Sequence, residues 1–167
     1  MLKDVLTYNL DVIFCGTAKG EASARLGFYY AGPGNKLYGI LDKAGFTPHK
    51  LHPSDCYEIN QYKIGFTDLV HTEFGNDDEI SDSSYDVVGF IEKVKKFKPR
   101  YVAFNSKKGA SFVLGFRGIT KLVDYGLQKQ KIGNSNLFVL PSTSGSARRY
   151  WDENYWFELK RLIDNYL

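Results

Sequence analysis

Cysteine is scarce. The 167-residue chain has two, Cys15 and Cys56, too few for an iron–sulfur cluster or a Cys-rich zinc site. Histidine is scarce too: His49, His52 and His71 show no metal-ligand spacing and no acid partner, so all three are assigned to the surface. No metal and no cofactor is expected. No apolar run approaches the ~20 residues that cross a membrane, and no secretory leader is visible. A reduced, soluble, cytoplasmic or nucleoid-associated protein is therefore expected, with no membrane partner. The Gly-x-Gly-x-x-Gly fingerprint and the Gly-Lys-Ser/Thr of a phosphate loop are both missing, which argues against a nucleotide cofactor. There is no internal repeat, low-complexity tract or linker, and no convincing Ser/His/Asp order for a nucleophilic triad.

What is present fits one globular domain over residues 1–167, long enough to bury a core. The apolar fraction is 43% and the charged fraction 25%, both ordinary values. The net charge of +3 permits nucleic-acid binding only if it is concentrated on one face. Lys93, Lys95, Lys96, Lys98 and Arg100 form such a concentration, although the solvated end of a helix explains it equally well. With 12 Tyr and 12 Phe, most rings belong in the core, and a few can stack on flat ligands.

The apolar runs at Val12–Cys15, Tyr101–Phe104 and Asn136–Leu140 read as buried strands, and Ile64–Val70 as a strand or extended loop. Helical spacing is found over Asn35–Ala44 and, with the stripe Val87, Val88, Ile91 and Val94, over Tyr85–Phe97. Further helices are expected at Pro53–Gln61, Gly109–Phe116 and Tyr155–Tyr166. Residues 17–34 read as a long loop, residues 71–84 as an acidic, exposed or mobile one, and a loop follows Phe116. Strands alternating with helices predict an α/β fold: a three-layer α/β/α sandwich around a mostly parallel sheet.

Two of these strands run into glycine-containing loops with basic groups. The first is Gly16-Thr17-Ala18-Lys19-Gly20, after Val12-Ile13. The second is Leu140-Pro141-Ser142-Thr143-Ser144-Gly145-Ser146-Ala147-Arg148, after Leu137-Phe138-Val139. Loops at the carboxyl ends of parallel strands converge on a shared crevice.

Together with Gly27-Phe28, Tyr30, Ala31, Pro33, Asn35, Ala44-Gly45-Phe46-Thr47, Gly65, Thr67, Leu69 and Val70, these loops resemble the mismatch-specific uracil/thymine DNA glycosylases of the uracil-DNA glycosylase superfamily. The blocks agree in order and spacing over most of the chain. The resemblance implies base-excision repair: a target base swung out of its strand, then hydrolysis of its N-glycosidic bond without a metal. The implied partner is DNA carrying deaminated or mismatched bases, bound by a monomer. The lesions expected are uracil, hypoxanthine and xanthine. It further implies a pocket floor and backbone donors from Gly16, Thr17, Ala18, Lys19 and Gly20. Phe28 and Tyr30 would lie beside the base, with Tyr30 stacking on it, and Ser23 at a pyrimidine edge. Ser144, Gly145, Ser146, Ala147, Arg148 and Arg149 would contact DNA, with Lys107 and Lys108 on phosphates.

The chain departs from the family pattern at the catalytic position. Ala18 stands where the family has the asparagine that holds the hydrolytic water, and Lys19 where it has proline. Three consequences are open: a lesion-binding protein without catalysis, weak catalysis by donors and strain alone, or a different group acting on the water. Asp68, after Thr67 at the end of an apolar strand, is the first candidate for that group, since a carboxylate accepts a hydrogen bond from water. A structural helix cap or a satisfied surface aspartate is the alternative for Asp68, and Glu21 is a second candidate. Ser146 replaces a bulky wedge, which predicts weaker intrusion into a duplex and a preference for poorly paired lesions or single strands. Tyr150 and Trp151 can stack on bases or pack the last helix.

Overall fold

The computed structural model describes residues 2–165. Five strands form one sheet: β1 (Val12–Gly16), β2 (Ile64–Asp68), β3 (Tyr101–Phe104), β4 (Gly126–Ile132) and β5 (Ser135–Val139). Their order is β2-β1-β3-β5-β4. All neighbours are parallel except β4, which runs antiparallel to β5. The helices are α1 (Glu21–Leu26), α2 (Leu37–Lys43), α3 (Val87–Phe97), α4 (Lys107–Val113) and α5 (Asn154–Asp164).

The inner strands are continuous apolar runs because both faces of the sheet are covered. Side chains alternate across it. Val12, Phe14, Ile64, Phe66, Tyr101, Ala103 and Phe138 meet one helical layer, built from α2, α5 and a 3-10 helix over Pro53–Tyr62. Cys15, Val102, Phe104, Leu137 and Val139 meet the other, built from α3 and α4. Trp156 of α5 is fully buried and stacks on Phe14 with ring centroids 5.4 Å apart. This is the three-layer α/β/α architecture expected from the alternating pattern.

Several local expectations need correction. Residues 17–34 are not one loop: α1 forms at Glu21 and stops at Gly27, whose φ of 79° only glycine adopts without strain. The chain after Phe116 contains a whole strand, β4. Its sequence Gly-Leu-Gln-Lys-Gln-Lys-Ile is polar because it is the sheet edge, where charge discourages further pairing. In α3 Phe90 and Val94 are buried and Ile91 packs beside them, as its place in the stripe implied, while Val88 is 71% exposed; two residues from Phe90, it lies about 200° round the helix. α4 begins at Lys107, since the Ser106 hydroxyl accepts from Gly109 N–H. The last helix is described to Asp164, and Tyr166 lies outside the described residues. Segment 71–84 carries two short 3-10 turns, Asp77–Glu79 and Asp82–Ser84, and inserts Ile80 into the core. His71 is half-buried and contacts Lys93 Nζ at 3.2 Å, so it is not a surface residue.

The basic concentration lies at the end of α3 and the start of β3, at the amino-terminal edge of the sheet. Two of its members are paired, Lys93 with Asp4 at 2.6 Å and Arg100 with Asp11 at 3.1 Å.

Candidate functional site

From β1 the chain crosses to β2 on one side and later to β3 on the other. At such a switch point the carboxyl-end loops diverge and leave a crevice. A cleft of about 810 Å³ lies there, lined by the ends of all three strands at Gly16, Asp68 and Asn105. Both glycine loops border it.

Asp68 forms the floor. Register places it opposite Gly16, and the two backbones are tied onward by Leu69 N–H to Gly16 O (3.0 Å) and Val70 N–H to Thr17 O (2.8 Å). A Cβ at Gly16 would sit 2.5 Å from Asp68 Oδ1 and 3.4 Å from the Tyr30 hydroxyl. The first motif glycine therefore exists to let a carboxylate lie against the strand end. Asp68 is 6% exposed, and no protein donor among the described residues hydrogen-bonds its carboxylate. Burial first, and then the Asp4 carboxylate behind it, push its pKa up to about 7, against the pull of Lys19 and Lys93. Asp4 is itself held by the Thr67 hydroxyl at 2.7 Å and by Lys93.

Around Asp68 the first loop offers unused donors. The N–H groups of Thr17, Ala18, Lys19 and Gly20 reach no backbone carbonyl among the described residues. The Tyr30 ring packs edge-on against Phe66 at 5.4 Å, and its buried hydroxyl lies beside Asn105 without a well-aligned hydrogen bond. Tyr30 thus presents an unsatisfied hydroxyl to the site, with most of its ring in the core. Ser23 is buried and accepts from Ala31 N–H at 3.1 Å; its oxygen holds the 30–31 turn, and its proton is still available. Ala18 and Glu21 also line the cleft.

The second loop is fixed by Asn105, whose side chain donates to Thr143 Oγ1 (2.9 Å) and accepts from Thr143 N–H (3.1 Å). Gly34 packs on Gly145, and a Cβ on either would rest in ordinary contact, 3.4–3.5 Å, on the other's backbone. Ser144, Gly145, Ser146 and Ala147 line the cleft, while Arg148 and Arg149 are exposed outside it.

The opposite wall was only partly foreseen. Lys107 and Lys108 line it as expected, but from the first turn of α4. Lys108 Nζ donates to Asp77 O at 3.1 Å, and Gly75 N–H to Lys19 O at 2.9 Å. These bonds draw the acidic segment against the cleft. Burial raises the Asp77 pKa, while the Thr17 and Ser106 hydroxyls and Lys108 favour its charged form. Asn105, Ser106, Asp77, Lys121 and Tyr125 are lining residues that the motif reading missed. For Asn105 and Ser106 a signal existed, since they directly follow a buried parallel strand. Nothing local marks the others.

Phe28 is a correction. It packs against the core and edge-on to Tyr57 at 6.5 Å, away from the cleft, because Gly27 turns the chain there. Trp151 likewise belongs to the α5 packing, against Trp156 and under Lys36.

Two comparisons bear on this arrangement. The family model for the uracil DNA glycosylase superfamily matches residues 3–164. The solution NMR structure of a candidate uracil DNA glycosylase from Methanosarcina acetivorans matches with a TM-score of 0.67 at 24% identity, covering 98% of this chain and 97% of that one. At that identity the likeness is one of fold.

Proposed function

The chain belongs to the uracil DNA glycosylase superfamily, and we propose that it is a monofunctional DNA glycosylase acting as one unit on deaminated bases: uracil, and also hypoxanthine and xanthine. The observation that carries this reading is Asp68. A carboxylate free of protein hydrogen bonds lies on the floor of the cleft, beside the position where Ala18 has replaced the family's asparagine.

In this mechanism the everted base enters between the two glycine loops. The free N–H groups of residues 17–20 face the oxygens of the base and stabilise the charge it gains as the C1′–N bond breaks. Such preorganised donors are worth about 3–4 kcal/mol each. Asp68 accepts a proton from the water whose oxygen bonds to C1′. The bond's electron pair leaves with the base, which then takes a proton from solvent. As a carboxylate, Asp68 also stabilises the positive sugar. Ala18 adds no polar group, and its small side chain leaves room for the water.

A lesion-binding protein on the same scaffold is the second reading, favoured by Ala18 alone. The deciding experiment incubates the protein with oligonucleotides bearing uracil, hypoxanthine or xanthine, then cleaves abasic sites with alkali. Product on at least one lesion, reduced ~100-fold or more in Asp68→Asn, supports the enzyme. Full activity in that variant removes Asp68 from the mechanism, and no product on any lesion favours the binder.

A further inference from the structure

The outer part of the cleft carries a feature the glycosylase reading does not use. At about 810 Å³ the cleft matches the upper range for drug-sized ligands, ~300–1,000 Å³, and is several times larger than one nucleobase. Its outer wall holds two tyrosines, Tyr125 and Tyr150. Each ring is covered by a cation: Lys107 Nζ lies 4.2 Å from the centroid of Tyr125, and the Arg149 guanidinium 4.9 Å from that of Tyr150. Tyr125 rests on Tyr155 with ring centroids 5.2 Å apart, and burial, then the neighbouring Tyr150, raises its pKa. Tyr150 is 57% exposed, a large aromatic left in solvent at the mouth of a cavity.

The electrostatics of the cleft fit this wall. Its cationic side chains are Lys19, Lys107, Lys108 and Lys121. Against them stand Glu21, Asp68, Asp77 and Asp78. The lining is charge-balanced, and the separate basic run lies at the other edge of the sheet. Phosphate neutralisation, the main source of duplex affinity, is therefore left to a few cations at the rim, Arg148, Arg149 and Lys107. Affinity has to come from base stacking, which only unpaired bases can offer to a protein ring.

We propose that Tyr125 with Lys107 and Tyr150 with Arg149 form a clamp for nucleotides flanking the everted one, and that the protein works on single-stranded DNA. This rests on the glycosylase reading for its substrate, but the clamp is a binding site in its own right. On binding, each cation swings from its ring to a phosphate and a base takes its place on the ring. A duplex cannot use the clamp, because its flanking bases stack on each other. The acidic segment at the same mouth further repels a second row of phosphates, and Ser146 is too small to hold a duplex open.

The test uses the full chain and a fluorescein-labelled oligothymidylate. Its binding is followed by anisotropy for the native protein and for Tyr125→Leu, Tyr150→Leu and, as a control at the far edge, Tyr8→Leu; thermal melts check folding. Each clamp variant is expected to weaken binding by roughly 5- to 150-fold, and Tyr8→Leu to bind as the native protein does. Native affinity should fall by less than ~10-fold between about 50 and 200 mM salt, against the ~1,000-fold or more of a protein contacting many phosphates. On uracil substrates, the ratio of single-strand to duplex excision should drop in both clamp variants. Folded variants that bind oligothymidylate like the native protein, or an unchanged excision ratio, overturn the clamp while leaving the glycosylase standing. Weakened binding in a protein that excises nothing keeps the clamp and removes the glycosylase.

Discussion

Replacing Asp68 by asparagine should make this protein more stable and less active, and both effects should depend on pH. The buried carboxyl has a pKa of about 7 against an ordinary 3.8. At 1.36 kcal/mol per unit, that offset is an upper bound of about 4 kcal/mol. The sign follows from proton binding. Between the two values the folded state holds a proton that the unfolded state has released, so stability falls as pH rises. Below the unfolded value the penalty is absent, and above about 7 it is complete. Asparagine carries no charge and escapes it. At roughly 2–4 °C per kcal/mol for a chain of this size, Asp68→Asn should melt higher than the native protein by about 10 °C at pH 8. The gap should close towards pH 4. Excision should show the mirror image: native kcat/KM rises about tenfold per pH unit up to a midpoint near 7 and then levels, and the variant loses that limb along with ~100-fold or more of its rate. Thermal melts at four or five pH values, with single-turnover excision at the same values, read both. A melting difference that stays constant from pH 4 to 8 would refute the claim that a strained carboxylate occupies the floor of the cleft.

Gly16→Ala drives a methyl group to 2.5 Å from Asp68 Oδ1; it should cost about 1–3 kcal/mol of stability and, by displacing the carboxylate, ~100-fold in excision, with DNA binding less affected. Tyr30→Phe removes a buried hydroxyl that lies beside Asn105 without a well-aligned hydrogen bond, so chemical denaturation should show a gain of no more than about 1 kcal/mol, and excision should fall. Adding Ala18→Asn to Asp68→Asn returns an amide to the family's position and should recover at least ~10-fold of the lost excision. Trp156→Ala empties the centre of one layer, where the indole stacks on Phe14; a loss of about 3–5 kcal/mol is expected in denaturant titrations.

The architecture was legible in the chain because buried parallel strands must be apolar on both faces. Val12–Gly16 and Tyr101–Phe104 carry that signature without any partner in view. The two glycine loops were legible for a related reason, as each ends such a strand. β4 was not, because an edge strand is written in lysine and glutamine and looks like a loop. The cleft was legible in part. Asp68 could be named from its place at the end of a strand, but its character could not: the raised pKa comes from burial that only packing supplies, and then from Asp4, a distant residue brought behind it. Tyr125, Lys121 and Asp77 reach the cleft from segments with no motif, and Phe28 leaves it because one glycine turns the chain. Sequence by itself set the buried parallel strands and the two loops, since each follows from residues near one another. Tertiary structure alone decided which charges and rings surround the floor, because those interactions depend on distances between segments that the chain order does not contain.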